Sequence, residues 1–231
     1  MDPSPSEAPR IFELPVHKFR TRLLRLLIRL IKRPIESISG LRTCDRVYAR
    51  AWKMPKDIPF SDRAMQAVGV RVNFSAEELQ NIPKEGPVVV VSNHPFGGIE
   101  GVILISLLRR VRPDVKAMAN FLLGAIPEMR EDFIFVDPFA SKSSTKANLR
   151  PIKESLTWLK EGHLLIVFPS GEVSSFDRRT LRVRDPAWSP SIAALVRKTN
   201  ATVVPMYFPG HNGFLFNLVG LIHPRFRTLL L

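Results

Sequence analysis

One stretch, Gly86 to Gly101 (G-P-V-V-V-V-S-N-H-P-F-G-G-I-E-G), restricts the fold more than any other. Pro87–Val91 is a short, continuous, β-branched run, the pattern of a strand buried on both faces. It ends at Ser92-Asn93, and His94, Pro95 and the Gly97-Gly98 pair follow as a tight turn. Glu100 opens an apolar run, Val102–Leu108, of helical length and without breakers. A titratable histidine is thereby expected at the carboxyl end of a buried strand, where open α/β sheets place their reactive groups. The acid six positions later begins a helix and lies close enough to turn back toward the imidazole. A histidine backed by a carboxylate is a general base with an orienter. The plainer alternative is a histidine capping a turn beside an acid favoured by the helix dipole.

The pattern continues along the chain. Ser61 is expected to cap a short helix to Gly69, and Val70–Phe74 alternates like a strand. Ser75 caps a further helical turn. Strands are expected at Asp114–Ala119, Phe133–Val136, His163–Phe168 and Ala201–Tyr207, with helices through Arg110 and over Ser141–Glu161 and Ser189–Thr199. Strands alternating with helices predict an α/β fold, a mostly parallel sheet covered by helices on both faces. The third buried strand runs into Phe168-Pro169-Ser170-Gly171-Glu172, a turn whose glycine lets backbone N–H groups approach a phosphate or an oxyanion. No G-x-S-x-G elbow surrounds it, so nothing suggests a serine hydrolase.

The N-terminal part is different in kind. Residues 1–16 are polar and proline-rich and read as a disordered tail. Between His17 and Arg33, the basic residues Lys18, Arg22, Arg25, Arg29 and Lys32 recur at spacings of three and four. Leu23, Leu24, Leu26, Leu27, Ile28, Leu30 and Ile31 fill most of the remaining circumference. Such a basic amphipathic helix, the first of a pair within 17–59, fits an anionic membrane interface, arginines at the phosphates. It equally fits a helix packed on the protein's own core with a solvated basic edge. Residues 60–231 form the α/β domain. The final Arg227–Leu231 carries no cap or turn signal and reads as a cut edge.

Charge narrows the partners. The 231 residues carry 34 lysines and arginines against 21 acids, a net charge of +13. That balance seeks an anionic surface: a membrane, an acidic carrier protein or nucleic acid. The arginines alternate with leucine rather than with stacking aromatics, so nucleic acid is not expected. The single cysteine, Cys44, excludes an internal disulfide, and no metal-binding cluster is present. No apolar run reaches the roughly 18–20 residues that span a bilayer.

Asn93-His94 followed by an acid, then the Phe168-Pro169-Ser170-Gly171 turn, resembles the lysophospholipid and glycerolipid acyltransferase family. Phe133–Asp137 and Val203-Val204-Pro205 stand where that family carries its second and fourth blocks. The Asn-His-Pro-Phe-Gly-Gly opening is most similar to the bacterial hemolysin-like branch, associated with acylation of lyso-forms of amino-acid lipids. The resemblance implies an acyl group moved from acyl-ACP or acyl-CoA to a lysolipid, without any other cofactor. It implies His94 as general base, Glu100 as its orienter, and Asn93, Phe168, Pro169, Ser170, Gly171 and Glu172 as substrate contacts. Arg22, Arg25, Arg29, Leu23 and Leu27 would seat the enzyme on the cytoplasmic face of the membrane as a peripheral protein. Two departures stand out. The usual His-x4-Asp is here His-x5-Glu, an extra residue that Gly97-Gly98 can absorb. The usual F-P-E-G-T-R-S has Ser170 and Val173 where its glutamate and arginine stand. Loss of that arginine removes a bidentate phosphate contact and favours a lysolipid with another head group. Glu172 could meet the amine of an amino-acid lipid. A catalytically silent lipid-binding protein of the same fold is the alternative that these departures support.

Overall fold

The computed structural model describes residues 8–12, 21, 32, 36, 40–136, 145–214 and 216–218. The chain divides into two compact units, Met1–Val70 with Leu218–Leu231, and Arg71–Asn217. The stripe carrying Arg22, Leu23, Arg25, Leu27 and Arg29 lies outside the described residues. Among the described residues, no helix is long and apolar enough to cross a membrane.

In the first unit, helices α1 (Leu41–Lys53) and α2 (Phe60–Val68) are joined through a segment broken by Pro55 and Pro59. Arg63 is buried between them, which is tolerable only because its guanidinium is saturated. It donates to the Ala51 and Ile58 carbonyls, each at 2.9 Å, and stands over the Phe60 ring. One of those carbonyls, that of Ala51 in the last turn of α1, also accepts the C-cap amide of Met54 at 3.3 Å. Ser61 is not the cap that its sequence position suggested. Pro59 is the N-cap and its carbonyl accepts from Asp62 and Arg63, both at 3.1 Å. The N-cap at Pro59 starts the helix two residues earlier, so Ser61 falls inside it and is buried.

The second unit opens with α3 (Ala76–Gln80), capped as expected by Ser75 Oγ accepting from the Glu78 amide at 3.3 Å. Then follow β1 (Val88–Ser92), α4 (Gly98–Leu108), β2 (Val115–Asn120), two 3-10 turns and β3 (Phe133–Val136). After these come α5 (Thr145–Lys160), β4 (Leu164–Val167), β5 (Ser175–Asp177), β6 (Arg182–Arg184), α6 (Ser191–Thr199) and β7 (Thr202–Met206). The main sheet is wholly parallel, in the order β3-β2-β4-β1-β7. Val88, Val89 and Val90 of β1 and Leu164, Leu165 and Ile166 of β4 are all 0% exposed. Each such side chain contributes about 1.5–3 kcal/mol through burial, which is why the two apolar runs take the centre. Helix α4 is buried at every position from Glu100 to Leu108, so its apolarity has no polar face to spare. Strand β7 is the edge, mostly exposed, and an edge accommodates Pro205, paired with Val91.

At the amino edge of the sheet a polar clamp fixes the central strands. Arg112, 5% exposed, donates through Nε and Nη2 to Asp114 at 2.8 and 2.6 Å. It also reaches the carbonyls of Pro83, Gly86 and Gly162. His163 Nδ1 lies 2.9 Å from the same Asp114 carboxylate, a structural role for a histidine that leads a strand.

One strand expected from the sequence is missing, and one hairpin is present that was not expected. Val70–Phe74 forms no strand: its alternation is real, but among the described residues no strand pairs with it. Conversely, residues 175–184 form an antiparallel hairpin of β5 and β6 that the arginine-rich sequence concealed.

Candidate active site

Because β1 and β4 are parallel neighbours, their carboxyl ends deliver two loops side by side. One carries His94, the other Phe168-Pro169-Ser170-Gly171. The two rings stack, with centroids 4.2 Å apart and planes inclined by 25°. This contact sets the plane of the imidazole.

Glu100 supplies the second constraint. Its Oε1 lies 3.5 Å from His94 Nδ1 and accepts the Phe96 amide at 2.5 Å. The turn needed for this passes through Gly97, at φ 107° and ψ −139°, a region essentially closed to residues with a Cβ. The extra residue relative to His-x4-Asp is absorbed there. Glu100 sits in the first turn of α4 and is fully buried. Glu100 Oε2 and His94 Nδ1 are both buried with no hydrogen-bond partner among the described residues. The His94 side chain retains 17% exposure although Nδ1 is buried.

The main chain of His94 is held from both sides. Its amide donates to Asp185 Oδ1 at 3.2 Å, and its carbonyl accepts the Ser174 amide at 2.8 Å. The same Asp185 oxygen accepts the Ser174 hydroxyl, and Oδ2 accepts Trp188 Nε1 at 3.1 Å. Asn93 is clamped bidentately to the Phe208 backbone, with both bonds at 2.8 Å, tying the end of β1 to the segment after β7. That segment closes on Phe96: at Gly210, φ 100°, a Cβ would stand 3.1 Å from the Phe96 ring.

Of the residues picked from the sequence, His94, Glu100 and Phe168 meet directly. Asn93 acts as a clamp on the loop. Pro169 is buried and its carbonyl accepts the Ser189 amide at 2.9 Å; the Ser170 hydroxyl donates to the Glu172 carbonyl at 2.8 Å. Gly171, at φ 66°, and Glu172 are exposed in the same turn. Sequence reasoning missed Asp185, Trp188 and Phe208. Asp185 and Phe208 reach the histidine loop only through tertiary pairing, Trp188 bonds to Asp185, and no local spacing announces them.

The loops after β1 and β4 thus place a histidine–carboxylate pair at the carboxyl edge of a parallel sheet. The chain belongs to the acyltransferase family, whose profile matches residues 20–225. It is similar to the lyso-glycine lipid O-acyltransferase of Phocaeicola vulgatus, 26% identical over 76% of this chain and 60% of that protein. It is likewise similar to the lyso-glycine lipid O-acyltransferase of Bacteroides thetaiotaomicron, 28% identical over 71% of this chain and 58% of that one. The chain thus spans about three fifths of the length of these two relatives. Among solved structures, the 1-acyl-sn-glycerophosphate acyltransferase PlsC from Thermotoga maritima matches 78% of this chain and 72% of its own, with 21% identity and a TM-score of 0.42. The family that the His94 and Phe168 turns resemble is therefore the family of the chain.

Proposed function

We propose that this protein transfers a fatty acyl group from a thioester, acyl-ACP or acyl-CoA, to the hydroxyl of a lysolipid. The observation that carries the reading is the partially exposed His94 imidazole held 3.5 Å from the wholly buried Glu100. His94 Nε2 takes the proton of the acceptor hydroxyl as its oxygen attacks the thioester carbonyl. The C–O bond forms, the C–S bond breaks, and the imidazolium returns the proton to the leaving thiolate. Glu100 faces Nδ1, selects the tautomer with the proton there, and stabilises the imidazolium between the two transfers.

The acceptor we favour is the lyso form of an amino-acid lipid. Two relatives bear lyso-glycine lipid in their names, and the Phe168 turn carries Ser170 and Val173 where an acidic residue and a phosphate-binding arginine are usual. Glu172, exposed in that turn, suits an amine or amide head group better than a phosphate. The basic stripe of Arg22, Arg25 and Arg29, with Leu23 and Leu27, would hold the protein peripherally on the cytoplasmic face of an anionic membrane. An acidic acyl carrier protein suits the net charge of +13.

The test is acyl transfer in mixed micelles, offering acyl-ACP and acyl-CoA against a panel of lysolipids. His94→Ala is expected to lower kcat by ~10²–10⁴ while leaving folding and micelle binding intact. Wild-type protein that binds lipid yet turns over no donor–acceptor pair would instead be a catalytically silent lipid-binding protein.

A further inference from the structure

The β5–β6 hairpin is built against the ordinary rules for a surface turn. Its ten residues, 175–184, hold four arginines and one acid. Arg182 and Arg184, two apart on β6, project from one side of the ribbon, with Arg184 bonded to Asp177 at 2.9 Å. Arg178 and Arg179 occupy the connection and are exposed. Beside them stands Leu181, 72% exposed and at φ 53°. A turn position in the left-handed region ordinarily takes glycine or asparagine. Here a leucine accepts the strain and leaves its side chain in water, which no folding requirement explains. Trp188, half exposed just beyond the hairpin, turns its indole N–H inward to Asp185 and leaves the rest of its ring outward.

We infer that the β5–β6 hairpin is a lipid-surface contact: Leu181 and Trp188 enter the interfacial region of an anionic bilayer while the hairpin arginines meet its phosphates. An exposed leucine flanked in the hairpin by exposed arginines, with a half-exposed tryptophan just beyond, is the composition that interfacial segments share. Net repulsion among the arginines argues against a contact with another basic surface and for one with a dense anionic plane. The placement has a consequence for the site. Ser174 and Asp185, the residues at the two feet of the hairpin, both hold the main chain of His94. A bilayer seated on the hairpin therefore presents its lipid next to the histidine, where a lysolipid hydroxyl would be needed. The contact is separable from the acyl-transfer reading, since vesicle binding requires no turnover.

The experiment is cosedimentation of the full chain with vesicles of phosphatidylethanolamine and phosphatidylglycerol, and with vesicles of phosphatidylcholine alone. Wild type is compared with Leu181→Asn and with the double variant Arg179→Glu/Arg182→Glu, each checked by thermal unfolding. Asparagine tolerates the left-handed backbone, so the first variant keeps the turn. Wild type should prefer the anionic vesicles, and each variant should bind them about tenfold more weakly, with stability unchanged. Variants that bind as wild type does overturn the assignment. So does normal vesicle binding combined with slower turnover from acyl carrier protein, which would make the hairpin a protein-docking element. Hairpin-dependent binding by a protein that turns over no lysolipid would leave the lipid contact standing while the proposed activity fell.

Discussion

Asp185 accepts the backbone amide of His94 at 3.2 Å across 91 residues of chain, and through its other oxygen the indole N–H of Trp188 at 3.1 Å. The histidine is thus held through its main chain by Asp185. Asp185→Ala leaves three donors without their acceptor, at about 1–3 kcal/mol of stability. Turnover should fall by ~10–100-fold through kcat, with KM little changed, because the ring shifts against Glu100 and Phe168. Asp185→Asn retains an accepting oxygen and should recover most of the loss. Steady-state kinetics beside thermal unfolding decide it; a kcat that tracks stability alone would reduce Asp185 to a fold-stabilising residue.

Glu100 tests the orienter. Glu100→Gln keeps size and burial but replaces the charge facing Nδ1, so kcat should drop by ~10²–10⁴ with the protein still folded. Glu100→Asp restores the acid type usual in the family yet shortens the side chain by one methylene in a loop set for the longer one. It should also be slow. Full activity for Glu100→Asp would mean that the turn through Gly97 adjusts freely.

Gly97 stands at φ 107° and ψ −139°. A Cβ there costs on the order of 1–3 kcal/mol if the turn is kept. If the turn relaxes instead, Glu100 leaves the imidazole. Gly97→Ala should therefore lose far more activity than Gly213→Ala, where an added Cβ meets nothing within 4 Å. Parallel activity and melting curves for the two variants make the comparison.

The clamp at the opposite edge gives a pH dependence. Partial burial pushes the Asp114 carboxyl up, but hydrogen bonds from Arg112 and His163 outweigh it and hold the group below its ordinary value of 3.8. A carboxylate whose pKa is depressed by folding stabilises the fold above its unfolded value. That stabilisation fades as pH falls through the lower folded value. Asp114→Asn should be destabilised by about 2–4 kcal/mol near pH 7, since Arg112 is then buried without its counter-ion. Urea melts at neutral pH and below about pH 4 should show the gap to wild type narrowing in acid, as the native carboxylate protonates.

The strand, turn and helix from Val88 to Leu108 were legible because their causes are local. A β-branched run, a glycine pair and an unbroken apolar run each act within a few residues, and His94 and Glu100 are only six apart. The same locality made Ser75 readable as a cap. It also misled: the alternation of Val70–Phe74 promised a strand that has no partner, and Pro59 took the capping position assigned to Ser61.

What the amino-acid sequence determined by itself is therefore the parallel α/β class, the histidine–carboxylate pair and the glycine that lets them meet. Only the tertiary structure decided what surrounds that pair. Pairing of β1 with β4 stacked Phe168 on His94, and pairing with β7 carried Phe208 onto Asn93 across 115 residues. The hairpin brought Ser174 and Asp185 to the carbonyl and the amide of the same residue, His94. The physical reason is one of range. Periodicity and turn chemistry report the conformations a segment prefers, whereas a contact between distant segments depends on strand order, which burial of the whole core selects.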